Sequence, residues 1–163
     1  TLGMYLFDDI CRCDKLLVFD CCDFHGKPGE LRVLHDEEIS IWTSTKLSPH
    51  QDGMNDLLAA AHLRLSAPNQ IVVVGFQPVL LDDYGGSLSN EAKKQLGPAV
   101  EAAFKELKNW GVPLRERTPN ESYEPLNENS ALNMERYEAE RPSQEEADRT
   151  GDRRYAFIRT NEA

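Results

Sequence analysis

The 163-residue sequence predicts an α/β domain built on a mostly parallel sheet. Two observations carry this. Two short runs, Leu16-Leu17-Val18-Phe19 and Ile71-Val72-Val73-Val74, are uniformly apolar, the pattern of strands covered on both faces. Around them lie segments whose apolar residues recur at helical spacing, and strands alternating with helices make a parallel sheet wrapped by helices.

Taken in order, Leu2, Leu6, Ile10 and Cys13 mark a short amphipathic helix that Thr1 is placed to cap. Lys15–Phe19 is the first strand, and Asp20 closes it at the carboxyl end. Cys21–Gly29 reads as loop, with Gly26, Pro28 and Gly29 as turn residues. Glu30–Leu34 is a second strand whose mixed alternation puts it nearer an edge. Asp36–Lys46 reads as a polar connection carrying Trp42.

The clearest helix opens at Ser48-Pro49-His50-Gln51. Ser48 is an N-cap, Pro49 sits at the first helical position where its missing N–H costs nothing, and Gln51 completes a capping box. His50 then lies at the positive end of the helix, which favours the neutral imidazole that ligates metals or accepts protons. Met54, Leu57, Leu58, Ala61 and Leu65 form its apolar face, and Ser66-Ala67-Pro68-Asn69 ends it. The third strand spans Ile71–Phe76, and Asp82–Ser87 is a turn-rich loop. Leu88–Leu96 reads as one short helix; Pro98 starts another, Gly111 stops it, and Ala99, Ala103, Leu107 and Trp110 line its inner face. From Thr118 onward Asn, Glu, Arg, Pro and Ser dominate. The expected division is therefore an α/β domain over 1–117 and a polar, extended or partly disordered tail over 118–163, with a turn or two of helix within Leu132–Glu140.

The formal charge of −10 argues against nucleic acid and anionic membrane as partners, since both select basic patches. No apolar run approaches the ~20 residues of a membrane-spanning helix. The four cysteines crowd at Cys11, Cys13, Cys21 and Cys22, which suits a reducing cytoplasm better than a disulfide-stapled secreted fold. Their spacing is also poor for a zinc knuckle, so they read as small buried hydrophobes.

Asp20 ends a buried strand and His50 opens a helix, and open α/β sheets bind ligands in the crevice at the carboxyl ends of their strands. A carboxylate with an imidazole suits a divalent ion such as zinc or nickel, although two ligands make only part of a site; pattern alone equally allows His50 as a surface histidine beside a cap and Asp20 as a carboxylate capping a loop. His62 reads as structural or partly exposed; His25 and His35 have no evident partner. There is neither a Gly-rich phosphate loop nor a Gly-x-Ser-x-Gly elbow.

Several stretches together resemble the hydrogenase maturation endopeptidases, which trim the C-terminal extension from the large subunit of nickel–iron hydrogenases. They are Thr1-Leu2-Gly3-Met4, Phe19-Asp20, Lys46-Leu47-Ser48-Pro49-His50-Gln51, Val74-Gly75-Phe76-Gln77-Pro78 and Leu81–Ser89. Asn120-Glu121-Ser122 and Met134-Glu135-Arg136-Tyr137-Glu138 are similar to the subgroup serving membrane-bound uptake hydrogenases. The resemblance implies a three-layer α/β/α fold and a large-subunit precursor as partner. It also implies a metal-contact site of glutamate, aspartate and histidine that recognises the nickel already in that precursor. The aspartate and histidine correspond to Asp20 and His50. The glutamate, with the family's first strand and helix, would lie upstream of Thr1. The resemblance thus implies a cytoplasmic endopeptidase, or a module that binds precursor or nickel without cutting.

Overall fold

A computed structural model describes residues 3–44, 49–79, 88–122 and 134–140. The chain divides into two compact units, one of residues 1–79 and 90–116, the other of residues 80–89 and 117–163.

The first unit is a sheet between helices. Its strands are β1 (Lys15–Cys21), β2 (Leu31–His35) and β3 (Gln70–Phe76), in the order β1-β3-β2. β1 runs parallel to β3, with Asp20 opposite Gly75. β2 runs antiparallel to β3, with Leu34 opposite Val73. The α/β class holds, and the sheet is mixed. The central position of β3 explains its buried Val72, Val73 and Val74. β1 departs from expectation: it is an edge of the described sheet, and Phe19 is 54% exposed. Apolar content alone does not tell a central strand from an edge strand, because both can present the same run of side chains.

Side chains alternate across a strand, so the two faces of the sheet have separate covers. On one face Leu16, Val18, Leu34, Ile71 and Val73 pack with Ile10, Trp42, Leu57, Leu58 and Ala61. These come from α1 (Phe7–Arg12), α2 (Ile39–Ser44) and α3 (Pro49–Leu63). On the other face α4 (Asn90–Asn109) packs on β3 and β2, burying Ala99 and Ala103. The described residues of the second unit include a turn, in which the Glu121 N–H donates to Thr118 O, and α5 (Met134–Ala139), inside the window expected to be helical.

Three expectations give way here. The polar connection is not one: α2 carries Trp42 into the core at 2% exposure, beside Ile39 and Ile41. Leu65 does not join the face of α3. The Ser66 and Leu65 N–H groups donate to Ala61 O and His62 O, a Schellman ending that turns Leu65 to φ 56° and leaves it 94% exposed. Pro98 restarts nothing, because α4 runs through it unbroken. Pro98 and its neighbour Gly97 are both exposed, so water can satisfy the carbonyl that the proline leaves unbonded. Gly111, at φ 75°, ends α4 as expected: its N–H donates to Lys108 O, and that of Val112 to Leu107 O.

Candidate functional site

Asp20 is the penultimate residue of β1, half-buried, on the sheet face that α1, α2 and α3 cover. Its carboxylate is held from two directions. Oδ1 accepts from the Cys21 N–H at 2.8 Å, and Oδ2 accepts from the Trp42 indole Nε1–H at 2.9 Å. The second bond crosses from β1 to α2. The amide of Asn55 donates to Thr43 O at 2.7 Å, which ties α3 to α2 one residue beyond Trp42.

His50 is the second residue of α3, and Pro49 is the first, as the sequence predicts. Ser48 and the side chains of His50 and Gln51 lie outside the described residues, as does the Asp82–Ser87 loop. The helix ends near the amino ends of the strands, where Arg64 lies 3.8 Å from Asp8 and the Asn69 N–H donates to Asp14 O. Its 15 residues span about 22 Å back along the sheet, which carries the first turn toward the carboxyl ends of β1 and β3.

The loop between β1 and β2 is organised by Gln77, which follows β3 within the Val74–Pro78 stretch. Gln77 is 8% exposed, and its side chain faces that loop. Oε1 accepts from the Phe24 and Gly26 N–H groups, each at 3.1 Å, while Nε2 donates to Asp23 Oδ1 at 3.1 Å. Asp23 Oδ1 also accepts from the His25 N–H at 2.9 Å. The His25 N–H and the Gln77 amide together hold the Asp23 carboxyl below its ordinary pKa. Gly75, opposite Asp20, leaves room for this loop: a Cβ there would come 3.2 Å from the Cys22 Cβ and 3.5 Å from the Phe24 ring. Gln77→Ala would leave the Phe24 and Gly26 amides without their acceptor. It should cost about 1–3 kcal/mol in chemical denaturation and speed hydrogen exchange at both amides.

The remaining candidates have structural settings. His35 Nε2 lies 3.2 Å from Glu106 Oε2 across the α4 face, and His62 Nδ1 is 2.9 Å from Leu58 O in its own helix. His25 lies beside Asp23, so both loop and strand histidines have partners after all. Of the cysteines, Cys22 alone is fully buried, and burial pushes its thiol up to about 11. Cys11 packs against the core, the Cys13 Sγ donates to Ile10 O at 3.3 Å, and Cys21 is exposed, contrary to the expectation of four buried thiols.

Comparison with known proteins gives the family of the chain. The HycI hydrogenase maturation protease family model matches residues 1–106. The chain belongs to the hydrogenase maturation protease family. It is 37% identical to the hydrogenase expression/formation protein HupD of Thiocapsa roseopersicina, covering 94% of this chain and 70% of that one. It is 38% identical to HoxM of Cupriavidus necator, covering 95% and 77%. Among solved structures, it is similar to the hydrogenase maturating endopeptidase HybD from E. coli, with a TM-score of 0.60 at 30% identity over 67% of each chain. As a hydrogenase maturation protease it is a peptidase, and among its described residues no helix is long and apolar enough to cross a membrane.

Proposed function

We propose that this peptidase removes the C-terminal extension of a nickel–iron hydrogenase large-subunit precursor after nickel insertion, and that Asp20 and His50 meet the nickel carried by that precursor. The observation that carries the reading is the Asp20 carboxylate. It stands at the carboxyl end of β1, on the face α3 covers, with both oxygens already engaged by N–H donors. A carboxylate oxygen has more than one acceptor site, so a carboxylate fixed by N–H donors is a chemically suitable ligand for a cation. The first turn of α3 supports His50 as its companion, because a helix start favours the neutral, metal-ligating imidazole. Oxygen and imidazole nitrogen together suit a borderline divalent ion such as nickel.

Nickel is part of the substrate in this reading, so cleavage waits for metal loading. The hydrogenase binds and presents the ion; this chain supplies groups that discriminate loaded from empty precursor. Such a reaction belongs in the cytoplasm, before the hydrogenase is assembled. The test pairs one precursor in nickel-loaded and nickel-free forms. The loaded form should shorten to mature length on a gel and the empty form should stay long. Equal processing of both would overturn nickel recognition, and binding without shortening would point to a docking role instead.

A further inference from the structure

We infer that Trp42 is a positioning residue whose indole N–H orients the Asp20 carboxylate for the metal presented by the precursor. The inference rests on the proposed role of Asp20 and adds a residue that touches neither metal nor substrate.

The indole has a single donor and no acceptor, so a tryptophan packed in a core must find one partner for Nε1. Trp42 is 2% exposed, among Leu34, Leu57 and Val73, and the partner it finds is Asp20 Oδ2 at 2.9 Å. Free carboxylates turn easily about the terminal torsion, which is broad and two-fold. Here the ring is held by the core and the carboxylate by the ring. The Cys21 N–H takes one lone pair of Oδ1, and Trp42 takes one of Oδ2. Both oxygens are thereby held in place by N–H donors before any ion arrives. An arriving ion then meets a ligand whose rotation need not be frozen on binding. The donor is also neutral. A lysine or arginine in its place would orient Asp20 but would compete electrostatically with the metal.

Seating of α2 extends the arrangement. Thr43 Oγ1 donates to Ile39 O at 3.2 Å and Thr43 O accepts from Asn55, so the turn carrying Trp42 is fastened to α3. A carboxylate on a strand, a ring on α2 and the helix that opens at Pro49-His50 therefore form one connected unit. Hydrogen-bond partners behind a metal ligand commonly govern metal affinity or activity by 10- to 100-fold.

The experiment replaces the N–H without emptying the core. Trp42 is exchanged for β-(3-benzothienyl)alanine, which puts sulfur where the N–H stood, and in parallel for Phe. Asp20→Asn serves as the reference. Each protein is melted and assayed for kcat and KM on nickel-loaded precursor. With a near-native melting temperature, both Trp42 replacements should raise KM by about 10- to 100-fold and change kcat much less. A merely structural tryptophan would leave the KM of the benzothienyl protein native. That result, with Asp20→Asn inactive, overturns the positioning role and spares the proposed function. Full processing by Asp20→Asn overturns the reading of Asp20 and the inference with it. Were the benzothienyl protein to melt early, the Phe protein decides on the same KM criterion.

Discussion

Nickel-loaded precursor should remain at full length with His50→Ala and with Asp20→Ala, a loss of roughly 100-fold or more in processing, since even partners behind a metal ligand reach that figure. The two variants differ in what else they disturb. His50→Ala keeps the backbone of the first turn of α3 and substitutes the best helix former, so stability should stay within roughly 1 kcal/mol of native. Asp20→Ala removes the acceptor of a buried indole N–H, and an orphaned donor costs about 1–3 kcal/mol. Asp20→Asn separates the effects, because its amide oxygen still accepts from Trp42 while the charge is gone. His62→Ala, on the same helix but exposed and with its Nδ1 against Leu58 O of its own turn, should process the precursor normally. The measurement is a gel shift of the precursor alongside a melting curve of each variant. Normal processing by His50→Ala would remove His50 from the site.

Trp42→Ala should have the largest effect on stability, about 3–5 kcal/mol, the usual range for emptying a core aromatic site. Trp42 belongs to the core cluster that the sheet shares with α1 and α3, and its indole bonds Asp20 of β1, so the cavity opens between sheet and helices where collapse is difficult. Against a typical total of about 5–15 kcal/mol, this loss would leave a readily measurable unfolded fraction near body temperature. Urea denaturation followed by far-ultraviolet circular dichroism reads it directly. Leu65→Ala is the informative control. The two side chains are comparable in hydrophobicity, yet Leu65 is 94% exposed, and its truncation should stay within about 0.5 kcal/mol. A midpoint for Trp42→Ala close to native would contradict the placement of α2 in the core.

The helix-forming signals that proved reliable were local ones. Pro49 opens α3 and Gly111 closes α4 because fixed φ and positive φ are properties of single residues, legible without a fold. Asp20 was legible as a site candidate for a similar reason, since it interrupts an apolar run at a strand end. Trp42 carries a helical signal, since Ile39 and Trp42 stand three apart within Asp36–Lys46. Gln77 carried none, because a glutamine after a strand says nothing of which loop its amide will bind.

By itself the sequence determined the α/β class, the three strands, the start of α3 at Pro49 and the end of α4 at Gly111. These follow from periodicity and from backbone preferences acting over a few residues. Tertiary structure alone decided that β3 is central and β1 an edge, that β2 runs antiparallel, and that Trp42 rather than Leu65 fills the core. It alone joined Asp20 to Trp42 and Gln77 to the loop beyond Cys22. Those outcomes depend on which surfaces meet, and residues 22 and 53 positions apart make contact only when a sheet and its helices have packed.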